Sequence, residues 1–355
     1  MARKTRGIVT QIKKEDTFNG GATFDDSDVV VANEATITPK TDMVDRKFLN
    51  CDIVKLGGVP VRNTTDGTVS VEIVADTSDT DTDFFGKVLF GAGFGYKNVP
   101  GHAGDDTDNG KGGFVGKDSA GNDADMVSLA DDNTAGTDIV YYVAHKASGN
   151  TAGEESTYSI AVRKFYDADT VCLYTTGVRA NKVDISVPTA DIITASFGVE
   201  GSDYTTPTDQ TKPACSTITA APFVGKSATF KYKGNTVNAM DLQVSVANTI
   251  ANEDSLTSAG YTDKIITEKA ISGSFKILFE DFSYLDELKE QTIGTLYLNV
   301  KVGDNEFGLY LPRVKVQDYQ VTDNSNMLVE ATVNFIGETD TSLVPAPEAI
   351  LVGIK

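Results

Sequence analysis

The feature that most constrains this chain is a pattern that occurs twice along it: an alternating segment, then a short helix-like run, then a series of further alternating segments. In the first half, residues 67–75 alternate apolar and polar side chains, and residues 82–90 follow as the helix-like run. In the second half, residues 274–279 alternate before a helix-like run over residues 283–291. Alternation with period two predicts half-buried strands, and the recurrence predicts two units related by internal duplication.

Each half also closes with a matched pair of alternating segments, residues 182–187 with 193–201 and residues 313–318 with 328–337. The most regular strand signals lie just before the last pair, in residues 296–311, with a turn at Gly303. Many alternating segments and only two short helical runs predict a mostly β chain. We expect two β-barrel or β-sandwich units, each with one short α-helix.

Composition agrees with a folded, acidic protein. The chain has 355 residues, of which 40% are hydrophobic, and this is enough for two ordinary cores. Its formal net charge of -20 disfavours a surface that binds nucleic acid by neutralising phosphates. The same charge suits a conduit whose wall repels DNA, although solubility alone also explains it.

Shifts in composition along the chain predict its domain organisation. The first residues mix charges with small side chains, which predicts either an arm that orders on a neighbouring molecule or simple terminal disorder. A proline-containing stretch predicts the linker between the halves. The predicted regions are an N-terminal arm (1–45), a first β domain (46–204) with a Gly/Asp-rich insertion (97–138), a linker (205–226), a second β domain (227–340) and a C-terminal tail (341–355).

Residues typical of catalysis or metal binding do not form a recognisable pattern. The two histidines, His102 and His145, lack the Ser or Cys context of a nucleophilic site. The three cysteines are widely spaced, which predicts neither a disulfide framework nor a zinc site. A calcium loop beginning at Asp105 is disfavoured because Gly116 occupies the position where an acid is required. We therefore expect no enzyme activity, no cofactor and no metal.

Eight segments, taken in their order along the chain, carry a resemblance to a known family. They are residues 65–73, 84–93, 177–186 and 193–201 in the first half, and residues 228–234, 241–248, 271–281 and 308–316 in the second. The resemblance extends over residues 47–340, which is most of the chain. This order of segments resembles the phage tail tube (major tail) protein family, in the branch whose subunits carry a duplicated tube barrel.

The resemblance implies a structural role in the virion tail. Subunits of that family form rings of six barrels, which stack into a tube whose channel carries the genome from the capsid to the host. It implies self-association, contact with the tape measure protein and other tail proteins, DNA that passes without specific binding, and no membrane partner. Three chains would supply six barrels if each chain has two, and six chains would be needed if the halves merge. With no signal-peptide-like run, we expect assembly in the host cytoplasm.

The resemblance also points to a candidate assembly segment. In that family, the loop between the second and third strands of a barrel and the terminal arms contact the next ring. The segment in that position here is residues 248–268, and the insertion 97–138 either decorates the outside of the tube or joins rings. The residues expected at the ring–ring contact are Asn248, Thr249, Glu253, Asp254, Tyr261, Lys264 and Glu268.

Two other readings of the sequence remain open at this stage. A cell-surface or other virion binding module built from β-sandwiches would have similar turns and acidity, and a secretion signal would favour it. A carbohydrate-active enzyme on a β scaffold would normally present aromatic platforms containing Trp. The chain has no Trp, so the enzyme is the weakest of the three.

Overall fold

The computed structural model describes residues 8–44, 58–74, 92–100, 116–117, 123–124, 137–143, 159–166, 171–214, 221–254, 260–303, 305–323, 329–338 and 350–354, and the structural statements below concern these residues. The predicted mostly β fold class is confirmed. The described helix, α1 (Ser283–Glu290), lies where the second helix-like run predicts it, and the run 82–90 lies outside the described residues. The strands are β1 (Ile8–Lys14), β2 (Val29–Val30), β3 (Glu34–Val44), β4 (Val59–Glu72), β5 (Gly95–Pro100), β6 (Gly116–Lys117), β7 (Asp123–Ala124), β8 (Thr137–Val143), β9 (Ile160–Tyr166), β10 (Cys172–Pro188), β11 (Thr194–Gly201), β12 (Asp203–Thr205), β13 (Ala228–Tyr232), β14 (Asn235–Thr236), β15 (Ala239–Glu253), β16 (Asp263–Leu278), β17 (Ile293–Val302), β18 (Asn305–Asp323), β19 (Val329–Gly337) and β20 (Ile350–Ile354).

The strands build a large antiparallel sheet that runs through both halves of the chain. Its strand order is β3-β4-β11-β10-β15-β16-β19-β18-β17-β13. The halves meet where β10 pairs with β15, from Lys182 opposite Ala247 to Pro188 opposite Asp241. The N-terminal part of β10 pairs with β9, and β9 pairs in turn with β1. The N-terminal part of β18 pairs with β20.

The pairing order in the second half repeats the order in the first. The first half pairs as β2-β1-β9-β10-β11-β4-β3, and the second as β14-β13-β17-β18-β19-β16-β15. The register of the β3–β4 pair shifts between Asp42 and Met43, and that of the β15–β16 pair shifts between Thr249 and Ile250. A common origin of the halves stays a prediction, but each of these strands has a counterpart in the other half.

The core of the second half is centred on an aromatic cluster. Phe275, which is 1% exposed, alternates with polar neighbours on β16 and so points inward. Its ring lies 5.3 Å from that of Phe230 and 5.6 Å from that of Tyr232, and it also contacts Tyr284 of α1 and Phe335 of β19. The cluster therefore ties the helix to three strands of the sheet.

The described part of the predicted N-terminal arm is ordered within the subunit. β1 pairs along its whole length with β9, and β3 pairs with β4. Val9 and Ile12 are buried, so this short segment contributes to the core. β1 has only seven residues. Composition averaged over the charged and small residues around it therefore did not indicate a strand and suggested an arm.

The linker and the insertion are also tied to the sheet. Phe223 of the linker is fully buried at the ends of β4 and β11, where its N–H donates to the carbonyl oxygen of Ile73 at 3.1 Å and its own carbonyl oxygen accepts from the N–H of Ile193 at 2.9 Å. β5 and β8, which flank the insertion, pair with each other, and β8 pairs with β20 of the C-terminal tail. Most of the insertion lies outside the described residues.

Candidate assembly surface

Two long hairpins extend past the sheet on the same side. We call residues 40–44 with 58–64, at the ends of β3 and β4, the first hairpin, and residues 248–254 with 260–268, at the ends of β15 and β16, the second hairpin. β10 pairs with β15 only up to Ala247, and β19 pairs with β16 only from Ile271 onward. Beyond those points the described strands β15 and β16 pair only with each other.

The second hairpin is anchored to the first half of its own chain. The side-chain amide of Asn248 donates to the carbonyl oxygens of Ala92 and Ala180 at 2.9 and 2.8 Å. The Nζ of Lys269 donates to the carbonyl oxygen of Gly93 at 2.6 Å. Buried backbone carbonyls need such donors, so these contacts fix the base of the hairpin inside the subunit.

Lys264 forms a second anchor of the same hairpin. Its side chain is 2% exposed, and its Nζ lies 3.5 Å from a carboxylate oxygen of Glu200 on β11. Burial lowers the pKa of Lys264, and the negative charge of Glu200 opposes that shift. A buried ammonium that loses its partner carboxylate is costly, so this pair holds the hairpin against the sheet.

Arg62 connects the two hairpins. Its guanidinium pairs with the carboxylate of Asp254 and lies 4.2 Å from the centre of the Tyr261 ring. It also lies 3.9 Å from Asp42. One side chain of the first hairpin therefore contacts both arms of the second hairpin, through an ion pair on one arm and a cation–π interaction on the other.

The structure divides the seven predicted assembly residues into two groups. Asn248, Tyr261 and Lys264 contact the first half, and Asp254 is exposed but paired with Arg62. The remaining three, Thr249, Glu253 and Glu268, are exposed. All seven lie on one hairpin, as the sequence indicates, while their role in assembly stays a prediction.

Sequence reasoning missed the first hairpin as part of this surface. Its exposed apolar side chains are Met43 (60% exposed), Val44 (56%), Val59 (46%) and Val61 (52%). Clustered exposed apolar residues are typical of interaction surfaces, so the first hairpin is a candidate for contact with another molecule. The available signal was the pair of short apolar segments Met43-Val44 and Val59-Pro-Val, which alternation alone does not mark as exposed.

β3 and the C-terminal part of β18 each present an open edge in the described part of the chain. β3 pairs there only with β4, and residues 316–323 of β18 pair only with β19. Most of β3 is exposed from Thr38 onward. Unpaired strand edges readily add a further strand, so each is a potential interface.

Neither a metal centre nor a membrane-spanning helix is seen in the described residues. No group of three or more His, Cys, Asp or Glu side chains there could hold a metal ion. No helix there is long and apolar enough to cross a membrane.

Comparison with known proteins identifies the family. The family model described as "Phage tail tube protein" matches residues 5–341, which includes both halves, both hairpins and the open edges of β3 and β18. No curated protein matches the chain. The matched family is one of structural proteins of the virion tail that self-associate into a tube with other tail components. This chain belongs to the phage tail tube protein family.

Proposed function

We propose that this protein is the repeating subunit of a tail tube whose channel conducts the genome into the host. Copies close into rings, the rings stack, and the tube forms around the tape measure protein during assembly in the host cytoplasm. The observation that carries the proposal is the family match over residues 5–341 on a sheet in which β3 and β18 each keep an open edge among the described residues. Pairing those edges around a closed ring removes an aggregation hazard.

A ring of three chains agrees best with the strand order. Because the pairing order occurs twice in each chain, three chains supply six similar positions. Six chains would be required only if the two halves acted as one position. The net charge of -20 supports a channel that DNA passes without specific binding.

Ring stacking uses the outer faces of the two hairpins in this proposal. Arg62 and Glu268 are counterparts, because each pairs with the last residue before the register shift of its hairpin. Val59 and Ile265 each lie three residues before them and are therefore counterparts as well. Ile265 is 50% exposed although its hairpin is anchored to the subunit, and Val59 is 46% exposed. This face remains available after the hairpins dock, so the next ring is the surface that would cover it. Thr249, Glu253 and Glu268 lie on the second hairpin and complete the contact.

Negative-stain microscopy of the purified protein tests the proposed function. We expect rings or hollow filaments that become more abundant as the protein concentration rises. Monodisperse single subunits at all concentrations and salt conditions would instead favour a surface binding module.

The stacking face can be tested separately with a paired substitution, Val59→Glu and Ile265→Glu. The subunit should keep its melting temperature within a few degrees, because both side chains are about half exposed, whereas filament length should fall at least tenfold. Val171→Glu, at a valine that is 36% exposed and belongs to neither hairpin, is the matched control. Filaments of normal length in the paired variant would show that this face does not join rings.

A further inference from the structure

We propose that each ring closes by pairing β18 of one copy antiparallel with β3 of the next copy, in the register that β10 and β15 adopt inside a single chain. This inference rests on the proposed function and specifies how neighbouring subunits bind. It uses the join between the halves as a template for the join between chains. The occupant of each open edge is therefore a second copy of this chain.

The counterpart of β10 is β18, as their registers show. Where β10 pairs with β11, the register shifts between Ala180 and Lys182, and Lys182 then lies opposite Gly198. Where β18 pairs with β19, the register shifts between Val316 and Asp318, and Asp318 then lies opposite Asn334. A bulge re-aims a strand and fixes its register, so Lys182 and Asp318 hold corresponding places.

The counterpart of β15 is β3 by the same reasoning. The register shift after Thr249 in β15 corresponds to the shift after Asp42 in β3. Counting back from these positions gives Ser245 and Thr38 as counterparts. β15 has β10 on its other side, while β3 has no described strand there.

The internal join then specifies residue pairs between chains. Inside the chain, Lys182 lies opposite Ala247, Asp184 opposite Ser245 and Ile185 opposite Val244. Substituting the counterparts places Asp318 opposite Lys40, Gln320 opposite Thr38 and Val321 opposite Ile37 of the next copy. Pro39 in this ladder cannot donate a hydrogen bond, so the join between chains has one bond fewer than a regular ladder of the same length.

Residues at the β10–β15 join are buried, whereas their counterparts at the open edges of β18 and β3 are exposed. Ile185 is 3% exposed beneath the β10–β15 pair, but its counterpart Val321 is 41% exposed. Val246 is 2% exposed, but its counterpart Pro39 is exposed. An added strand would cover apolar surface that the isolated subunit leaves in water.

Charge complementarity favours the same register. Asp318 and Lys40 would lie directly opposite each other, and opposite charges across a strand pair are favourable while like charges are not. Lys40 already pairs with Asp66 within its own chain, so the contact between chains would extend an existing charge cluster. A shift of the register by one residue would place the outward-facing side chains on the wrong face of the sheet.

Engineered cysteines test the register in assembled protein. The variant carries Thr38→Cys and Gln320→Cys, with Cys51→Ser and Cys215→Ser to avoid other disulfides. We expect oxidation to give cross-linked dimers and a final species at the ring size, three chains or six. The control Thr36→Cys with Gln320→Cys is two residues out of register and should cross-link at least tenfold less.

A second variant tests the edge without cysteine chemistry. Val321→Lys places a charge on the exposed edge of β18 and should reduce the population of rings at least tenfold without lowering the melting temperature by more than a few degrees. The control is Val171→Lys. Rings that form in this variant, or rings visible by microscopy whose in-register cysteines do not cross-link, would overturn the pairing of β18 with β3. If the unmodified protein forms no rings, the proposed function itself would be overturned.

Discussion

Replacing Phe275 with alanine is expected to lower the free energy of unfolding by about 3–5 kcal/mol. Phe275 is 1% exposed and contacts four other aromatic rings from β13, α1 and β19. Truncation would leave a cavity that rigid strands on either side cannot fill by moving together. Chemical denaturation of the subunit, followed by far-ultraviolet circular dichroism, measures the effect.

Phe282→Ala provides the matched control for this prediction. Phe282 is 56% exposed just before α1, so we expect a change of less than about 1 kcal/mol, as for substitutions at exposed positions. Equal effects of the two substitutions would mean that the aromatic cluster does not form the core of the second half. The helix would then be held mainly by its polar contacts, in which the hydroxyl of Tyr232 donates to Glu287 at 2.8 Å.

Glu15→Ala is expected to destabilise the subunit by about 2–4 kcal/mol, because it leaves several buried donors without an acceptor. The Glu15 carboxylate is 1% exposed and accepts from the N–H groups of Gly21 and Gly177 at 3.0 Å each, and from that of Asn19 at 3.3 Å. It also accepts from the hydroxyl of Ser159. Gly177 has a φ of 60° at the register shift between β9 and β10, so one carboxylate fixes the N-terminal segment against an irregular part of the sheet.

Asp16→Ala is the control, since Asp16 is the exposed neighbour of Glu15. We expect thermal melting to show little change for Asp16→Ala and a large loss for Glu15→Ala. If the two variants melted together, residues 8–44 would not be part of the cooperative unit, and the arm predicted from composition would describe them better.

The pH dependence of stability should also report on Glu15. Burial raises the pKa of Glu15 above its ordinary value, although its hydrogen bonds oppose the shift. The folded state therefore holds this proton to a higher pH than the unfolded state does. The stabilisation of the folded state by protonated Glu15 is fully present below the pKa that Glu15 has in the unfolded chain. It is lost as the pH rises through the pKa that Glu15 has in the folded protein. The advantage of the wild-type protein over Glu15→Gln should thus shrink from pH 4 to pH 7 in thermal melts, and an advantage that grew with pH would contradict the assignment.

Local patterns predicted the second half of the protein well. Alternation over residues 296–311 gave β17 and the first part of β18, and the apolar spacing after Ser283 gave α1, because these elements are decided by neighbours in sequence. Residues 248–268 were expected as the loop between two strands, and their described part instead forms the paired ends of β15 and β16. Their contacts with Ala180 and Glu200 could not be predicted, since nothing in the hairpin sequence names a distant partner.

The sequence by itself determined that the chain is mostly β, where its clearest strands and its second helix lie, and that its pattern occurs twice. It did so because period-two alternation and turn residues act over a few positions. Only the tertiary structure decided that β1 belongs to the core, that Lys264 faces inward, and that β10 pairs with β15 while β3 and β18 keep an open edge in the described part of the chain. Strand partners distant in sequence are chosen by packing and register, and alternation shows which face is buried without showing which strand lies beside it.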